Sequence, residues 1–251
     1  MHSLDQQYAD DIGWASTDNN VLQEIEHKAT ERLAERNLKI NNTKTEKYSI
    51  SRNGDPSWSK CKYVGSLLGT NDDINRRIGM TNYAFNNLSN IFKNKNLSKG
   101  IKLRIFNALI KSIFLYNCEL WGTTKALDHK IDAFQRRLLR NVLKIRWTNN
   151  NWISNEELYR QTNQTEWSSI VAHRRLRFFG HVSRLHDDAP AKLALREALK
   201  YTKKPRGRPV TTLLGTLKSQ LKGRNINNFD DAMNLAQDRF KWRRIITEHV
   251  E

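Results

Sequence analysis

Proline and glycine are scarce, with 4 and 11 copies in 251 residues. That scarcity argues against the many tight turns of an all-β fold and favours long helices. Cysteine occurs twice, as Cys61 and Cys118, too far apart and too few for a disulfide framework. Both are expected to be reduced and to act as small buried hydrophobes. No apolar run approaches the ~18 residues that a membrane-crossing helix needs, and the N-terminus has no apolar signal core. The chain is therefore expected to be nuclear or cytoplasmic, neither secreted nor membrane-bound. No glycine-rich phosphate loop and no nucleophile–His–Asp set is visible. His173, His181 and His186 lack a cysteine at metal-ligand spacing, so zinc is not expected.

What the chain has in excess is positive charge. The net charge is +17, and it is uneven. Residues 1–100 hold 14 Lys+Arg against 12 Asp+Glu, whereas residues 101–251 hold 29 against 14. A cationic field concentrated in one part of a chain favours a polyanion, with nucleic acid the first candidate. The bland alternative is a merely soluble basic surface.

The length suits one large domain or two small ones. Residues 4–8 and 12–15 read as two strands around a turn. Asp18 or Asn19 can cap a helix running from about Asn20 to Arg36, with Leu22, Ile25, Ala29 and Leu33 on one face. Residues 46–52 and 61–68 read as short strands, with a turn at Asn53-Gly54-Asp55-Pro56. From residue 73 the period is helical. Ile74, Ile78, Phe85, Leu88 and Phe92 suit one helix, broken near Lys95-Asn96. Ser98 can cap the next, whose expected apolar face is Ile101, Ile105, Leu109, Ile113 and Tyr116. A third helix near 127–146 uses Ile131, Phe134, Leu138, Val142 and Ile145. Further helices are expected near 154–161, 165–185, 190–200 and 228–248, with a basic linker over 201–209.

Near the start stands Tyr8-Ala9-Asp10-Asp11. Two adjacent aspartates at a hairpin tip can approach divalent metals, which nucleotidyl transfer uses to activate a 3′-hydroxyl and neutralise the leaving pyrophosphate. A third carboxylate from a neighbouring strand normally completes such a site. Taken alone the tetrapeptide is a weak signal, and its ordinary alternative is a polar turn whose aspartates bond the local backbone.

The residues that follow give it context. After the first helix comes Leu38-Lys39-Ile40-Asn41-Asn42-Thr43-Lys44-Thr45, and then Tyr63-Val64-Gly65-Ser66-Leu67-Leu68-Gly69. In that order and spacing the chain resembles the reverse transcriptases of non-LTR retrotransposons, jockey-like elements in particular. Tyr116-Asn117-Cys118-Glu119-Leu120-Trp121-Gly122, Phe134-Gln135-Arg136-Arg137-Leu138-Leu139-Arg140, Arg174 to Val182, Arg206-Gly207-Arg208-Pro209 and Asp238 to Arg243 extend the resemblance over nearly the whole chain.

The resemblance implies an α+β, mostly α fold. Residues 1–70 would be a partial polymerase palm of short antiparallel hairpins plus a helix, 71–146 a helical thumb, and 147–251 a basic helical region. It implies RNA-templated DNA synthesis from deoxynucleoside triphosphates on a DNA primer or target, with Mg2+ held by Asp10 and Asp11. Tyr8 would shape that site, Lys44 would act at the triphosphate, and Tyr63 and Gly65 would grip the primer. Only seven residues precede the motif, so the fingers and the third carboxylate are expected outside this chain, and the chain alone is expected to be inactive.

The basic segments support a second reading, a non-catalytic nucleic-acid-binding protein. Arg136, Arg137, Arg140 and Lys144 lie opposite an apolar face and could track a phosphate backbone, or could form a plain solvated surface. Arg174, Arg175 and Arg177 adjoin Phe178 and Phe179, a mixture able to hold phosphate and stack bases, although one phenylalanine suits the core. Arg206 and Arg208 sit in an Arg-Gly-Arg flanked by prolines, which can enter a narrow A·T minor groove or serve as a linker.

Overall fold

The computed structural model describes residues 3–8, 11–50, 56–145, 153–200 and 211–247. The chain is mostly helical with two small antiparallel sheets. It divides into two compact units, residues 1–73 and 74–251.

In the first unit β1 (Ser3–Tyr8) pairs with β2 (Asp11–Ser16), in a register that sets Ser3 opposite Ser16 and Tyr8 opposite Asp11. Asp18 then caps α1 (Asn19–Ala34), its carboxylate accepting the Asn20 N–H at 2.9 Å. This satisfies one of the unpaired donors at a helix start. The apolar stripe Leu22, Ile25, Ala29 and Leu33 is half-buried and none of it fully covered.

The strand expected over 46–52 does not form in its described part, residues 46–50. These residues are exposed and their side chains tie off locally. The Tyr48 hydroxyl donates to Glu46 at 2.8 Å, and Lys47 pairs with Glu26 at 2.7 Å. A strand without a partner has an unpaired backbone and gains nothing from extension. The turn proposed at 53–55 lies outside the described residues.

A 3-10 turn (Pro56–Lys60) leads to the hairpin of β3 (Lys62–Tyr63) and β4 (Ser66–Leu67). Its turn residues Val64 and Gly65 have φ of 44° and 76°. Two successive positive φ values match the hairpin twist, and glycine takes the second without a Cβ clash. Ser59 then donates to Asp72 at 2.7 Å, and the Leu67 N–H donates to Asp73 at 3.0 Å. These contacts tie the hairpin to the first turn of α2 (Thr70–Asn87).

The second unit contains the rest of α2, then α3 (Ser89–Lys93) and α4 (Lys99–Ile105). A π-helical stretch (Phe106–Lys111) joins α4 to α5 (Ser112–Phe114), and a 3-10 turn (Cys118–Leu120) leads to α6 (Lys125–Leu143). There follow α7 (Asn155–Thr162), α8 (Trp167–Ser183), α9 (Pro190–Lys200), α10 (Leu213–Lys222), α11 (Phe229–Gln237) and α12 (Arg239–Thr247). Among the described residues no helix is long and apolar enough to cross a membrane.

Two apolar cores share α8. Its first half gives Trp167 and Val171 to a cluster with Phe106, Phe114, Phe134 and Leu138. Its second half gives Leu176 and Phe179 to a cluster with Leu217, Leu221, Trp242 and Ile246. Trp167 stacks on Phe114 at 4.6 Å between ring centroids.

Three helical expectations are corrected. The helix from 73 breaks at Leu88, giving α2 and the short α3. The face expected over 101–116 is not the buried one. Ile101, Leu109 and Tyr116 are exposed, while Lys102, Phe106, Ile110 and Phe114 point inward. Two apolar stripes ran side by side there, and the one with the larger aromatic area was buried. Its four-residue spacing overshoots an α-helical turn, and the wider π turn absorbs the drift. The segment 228–248 is two helices, because the Asp238 carboxylate accepts the N–H groups of Phe240 and Lys241 at 2.9 and 3.0 Å and starts α12 afresh.

Candidate nucleic-acid interface

The last turn of α6 ends in a left-handed cap at Lys144, and its first is capped by Thr124, whose hydroxyl accepts the Leu127 N–H at 3.3 Å. Ile131, Phe134, Leu138 and Val142 are buried, as their spacing implies. The start of α8 fixes the helix on one side. Asp132 accepts the Ser168 N–H and hydroxyl at 2.9 and 2.7 Å, and Gln135 accepts the Trp167 N–H at 2.9 Å.

On the exposed side of α6 stand Lys130, Arg137 and Lys144, seven residues apart. Seven residues are about two turns, so successive cations are about 10 Å apart on one face. Lys130 donates to the Asn75 side-chain carbonyl at 2.6 Å, Arg137 to that of Asn82 at 2.8 Å, and Lys144 to the Lys93 backbone carbonyl at 2.8 Å. Every one of these acceptors is neutral. The charges are held in place, yet among the described residues none is paired with a carboxylate. Two carboxylates of this unit pair with cations elsewhere: Glu157 binds Arg160 at 2.6 Å, and Asp187 binds Lys192 and Arg196 at 2.9 Å. A Cβ on Gly79, between Asn75 and Asn82, would meet nothing within 4 Å, so this flank of α2 is open.

The basic stripe expected on α6 is therefore split. Arg137 and Lys144 belong to the ladder. Arg136 turns to α7, where its charge lies beside the Tyr159 hydroxyl, and Arg140 donates to Asn155 at 2.8 Å. Burial pushes the Tyr159 phenol up to about 12, so it stays protonated beside Arg136. Lys130 was not singled out from the sequence, although its place seven residues before Arg137 is a legible signal.

The Arg174–Arg177 segment also divides. Arg175 is 1% exposed; its guanidinium donates to the Trp121 carbonyl at 2.9 Å and to Thr123 at 3.2 Å. It is a core group, out of reach of a phosphate, which corrects the expected binding role. Arg174 is exposed but anchored, donating to the Leu115 carbonyl at 2.8 Å. Arg177 is exposed. Phe179 is buried against Phe229 and Trp242, while Phe178 is half-buried. Arg206 and Arg208 lie outside the described residues.

In the first unit the backbone register pairs Tyr8 of β1 with Asp11 of β2, and Asp10 lies outside the described residues. The Tyr63 ring packs on Gly13 of β2, so closely that a Cβ there would sit 3.1 Å from the ring. An isolated glycine in a strand marks such an approach. The structure thus brings Tyr63 beside the hairpin that carries the aspartates, with Gly65 at the adjoining turn. Lys44 is exposed in a turn organised by Asn41, whose carbonyl accepts the Lys44 N–H at 3.0 Å. Among the described residues no group of three or more His, Cys, Asp or Glu could hold a metal ion.

Compared with protein-family models, curated proteins and solved structures, the chain matches none.

Proposed function

We propose that this chain binds the phosphate backbone of nucleic acid along α6. The observation that carries the reading is the ladder of Lys130, Arg137 and Lys144, each held by a neutral oxygen and, among the described residues, none by a carboxylate. The charge excess of residues 101–251 adds a field of the same sign around it.

The test is fluorescence anisotropy with an RNA and a DNA oligonucleotide over a salt series. Affinity falls as salt rises, with a log–log slope that reports the number of phosphates engaged. Replacing Lys130, Arg137 and Lys144 by alanine lowers affinity and flattens the slope by about 2 to 3. Replacing the exposed Lys218, Lys222 and Arg243 removes equal charge and has a smaller effect. Affinity that ignores salt, or equal losses in both triple variants, overturns the reading.

A second reading, part of a retrotransposon reverse transcriptase, is favoured by the packing of Tyr63 on Gly13 beside the Tyr8–Asp11 pair. It agrees with the motif order Tyr8-Ala9-Asp10-Asp11, Lys44 and Tyr63–Gly65. In that reading the ladder holds template and primer, and the first unit is palm. Primer extension with Mg2+ and deoxynucleoside triphosphates separates the two. No incorporation is expected from the chain alone; incorporation abolished by Asp10→Ala would put the polymerase first.

A further inference from the structure

At the C-terminal end of the ladder lies a lysine that the sequence places on no binding face. Lys102 sits on α4 with only 6% of its surface exposed. Its position follows the inward stripe of Phe106, Ile110 and Phe114, so its stem is packed as if it were apolar. Among the described residues its ammonium meets no carboxylate and no hydrogen-bond acceptor. Both α3 and α4 pack on α6 here. The charge Lys102 feels is that of another cation, Lys144, and burial followed by this repulsion holds its ammonium below the usual lysine range.

Such an arrangement is costly in the free protein. A cation whose stem is packed and whose head lies beside another cation gains from an incoming anion. Lys144, by contrast, is exposed, and its backbone holds it in place. It occupies a left-handed cap with φ of 58°, a conformation that side chains other than glycine and asparagine seldom adopt. That turn directs it to the Lys93 carbonyl at the end of α3. Lysine ammonium is a compact point charge with three donors, suited to a phosphate that approaches from any angle. Two such groups converge where α3, α4 and α6 meet.

We propose that Lys102 and Lys144 jointly bind one phosphate group of the nucleic-acid strand lying along α6, and so fix where the strand ends its contact with the ladder. The proposal rests on the backbone-binding reading above and names a residue and a position within it. Lys102 supplies a charge held by its packed stem, and the bound phosphate removes the repulsion between the two lysines.

The test compares Lys102→Met with the wild-type chain and with the Lys130→Ala/Arg137→Ala pair. Methionine keeps the buried stem and removes the charge that repels Lys144, so its thermal midpoint is expected to equal or exceed that of the wild type. Against the same oligonucleotide at low salt, Lys102→Met is expected to bind about tenfold more weakly, with a salt slope shallower by about one. Lys102→Arg is expected to restore most of the slope. A second arm titrates inorganic phosphate while following the Lys102 side-chain NMR signals, identified by their loss in Lys102→Met. A weaker, shallower oligonucleotide response supports the proposal, with or without a phosphate shift; the shift adds that the site also accepts free phosphate. A phosphate shift with unchanged oligonucleotide binding overturns it in favour of a free-anion site. Unchanged oligonucleotide binding by Lys102→Met, alongside a loss in the Lys130/Arg137 pair, overturns it and leaves the α6 reading standing. If neither variant changes binding, both readings fall.

Discussion

Asp132 caps a helix that is not its own: its carboxylate takes both the N–H and the hydroxyl of Ser168, at 2.9 and 2.7 Å. The residue before α8, Glu166, makes no side-chain cap bond. The carboxylate thus meets unpaired donors at the positive end of the α8 dipole. Replacing Asp132 by alanine is expected to cost about 2 kcal/mol, because two partly buried bonds and a favourable charge are lost. Ser168→Ala keeps the N–H bond and is expected to cost about 1 kcal/mol. Urea unfolding reads both, and equal losses would show that the backbone bond contributes nothing.

Arg175 and Arg177 are two residues apart and differ in kind. Arg175 is buried with its guanidinium on the Trp121 carbonyl. Removing it leaves that carbonyl and Thr123 without their donor, and Arg175→Ala is expected to cost about 3 kcal/mol. Arg175→Lys does not rescue it fully, since an ammonium lacks the planar fork. Arg177→Ala is expected to stay within about 0.5 kcal/mol of wild type. Parallel melting curves check the contrast, and an unaltered Tm for Arg175→Ala would refute it.

Helix propensity and packing make opposite forecasts at Gly180. Alanine in a helix interior is favoured over glycine by about 1 kcal/mol. Here a Cβ would lie 2.2 Å from Trp242 Nε1, and it would displace the indole N–H from the Leu176 carbonyl it reaches at 3.0 Å. Packing is expected to win, with Gly180→Ala less stable by about 2 kcal/mol. A double-mutant cycle with Trp242→Phe is expected to show coupling of about 1 kcal/mol between the two sites. Simple additivity would mean that the indole is not what glycine makes room for.

Cys118 is 0% exposed, and burial pushes its thiol up to about 12, against the nearby Arg174. The native thiol is neutral where an unfolded one ionises. Stability from this group is therefore intact below pH 9 and falls as pH rises from there toward 12, by about 1 kcal/mol per pH unit. Cys61 is half-buried and is expected to be alkylated first in the native chain. Mass spectrometry after iodoacetamide treatment at pH 8 checks the order, and early labelling of Cys118 would count against its burial.

Local signals were legible and long-range ones were not. The Asp18, Ser98 and α6 assignments followed from caps and spacing. Helix α10 was missed although Thr212, which accepts the Gly215 N–H at 3.1 Å, precedes a periodic run of leucines. The break at Asp238 was hidden because apolar residues recur on both sides of it at helical spacing. The arginines on the polar side of α6 could be named from sequence, but which of them face α2 and which face α7 depends on tertiary neighbours. The burial of Arg175 and Lys102 had no sequence signal, since long cationic residues are seldom enclosed. Tyr63 and Gly13 are each visible as types, while their meeting is a property of the fold.

The neutral partners of Lys130, Arg137 and Lys144 decide how a ligand would gain access to them. Asparagine and backbone oxygens hold each cation in position but can be exchanged for a phosphate oxygen without first separating opposite charges. A carboxylate in the same place would compete with the incoming strand. With the side chains pre-positioned in this way, a bound polyanion would find the cost of arranging them met during folding instead of at encounter.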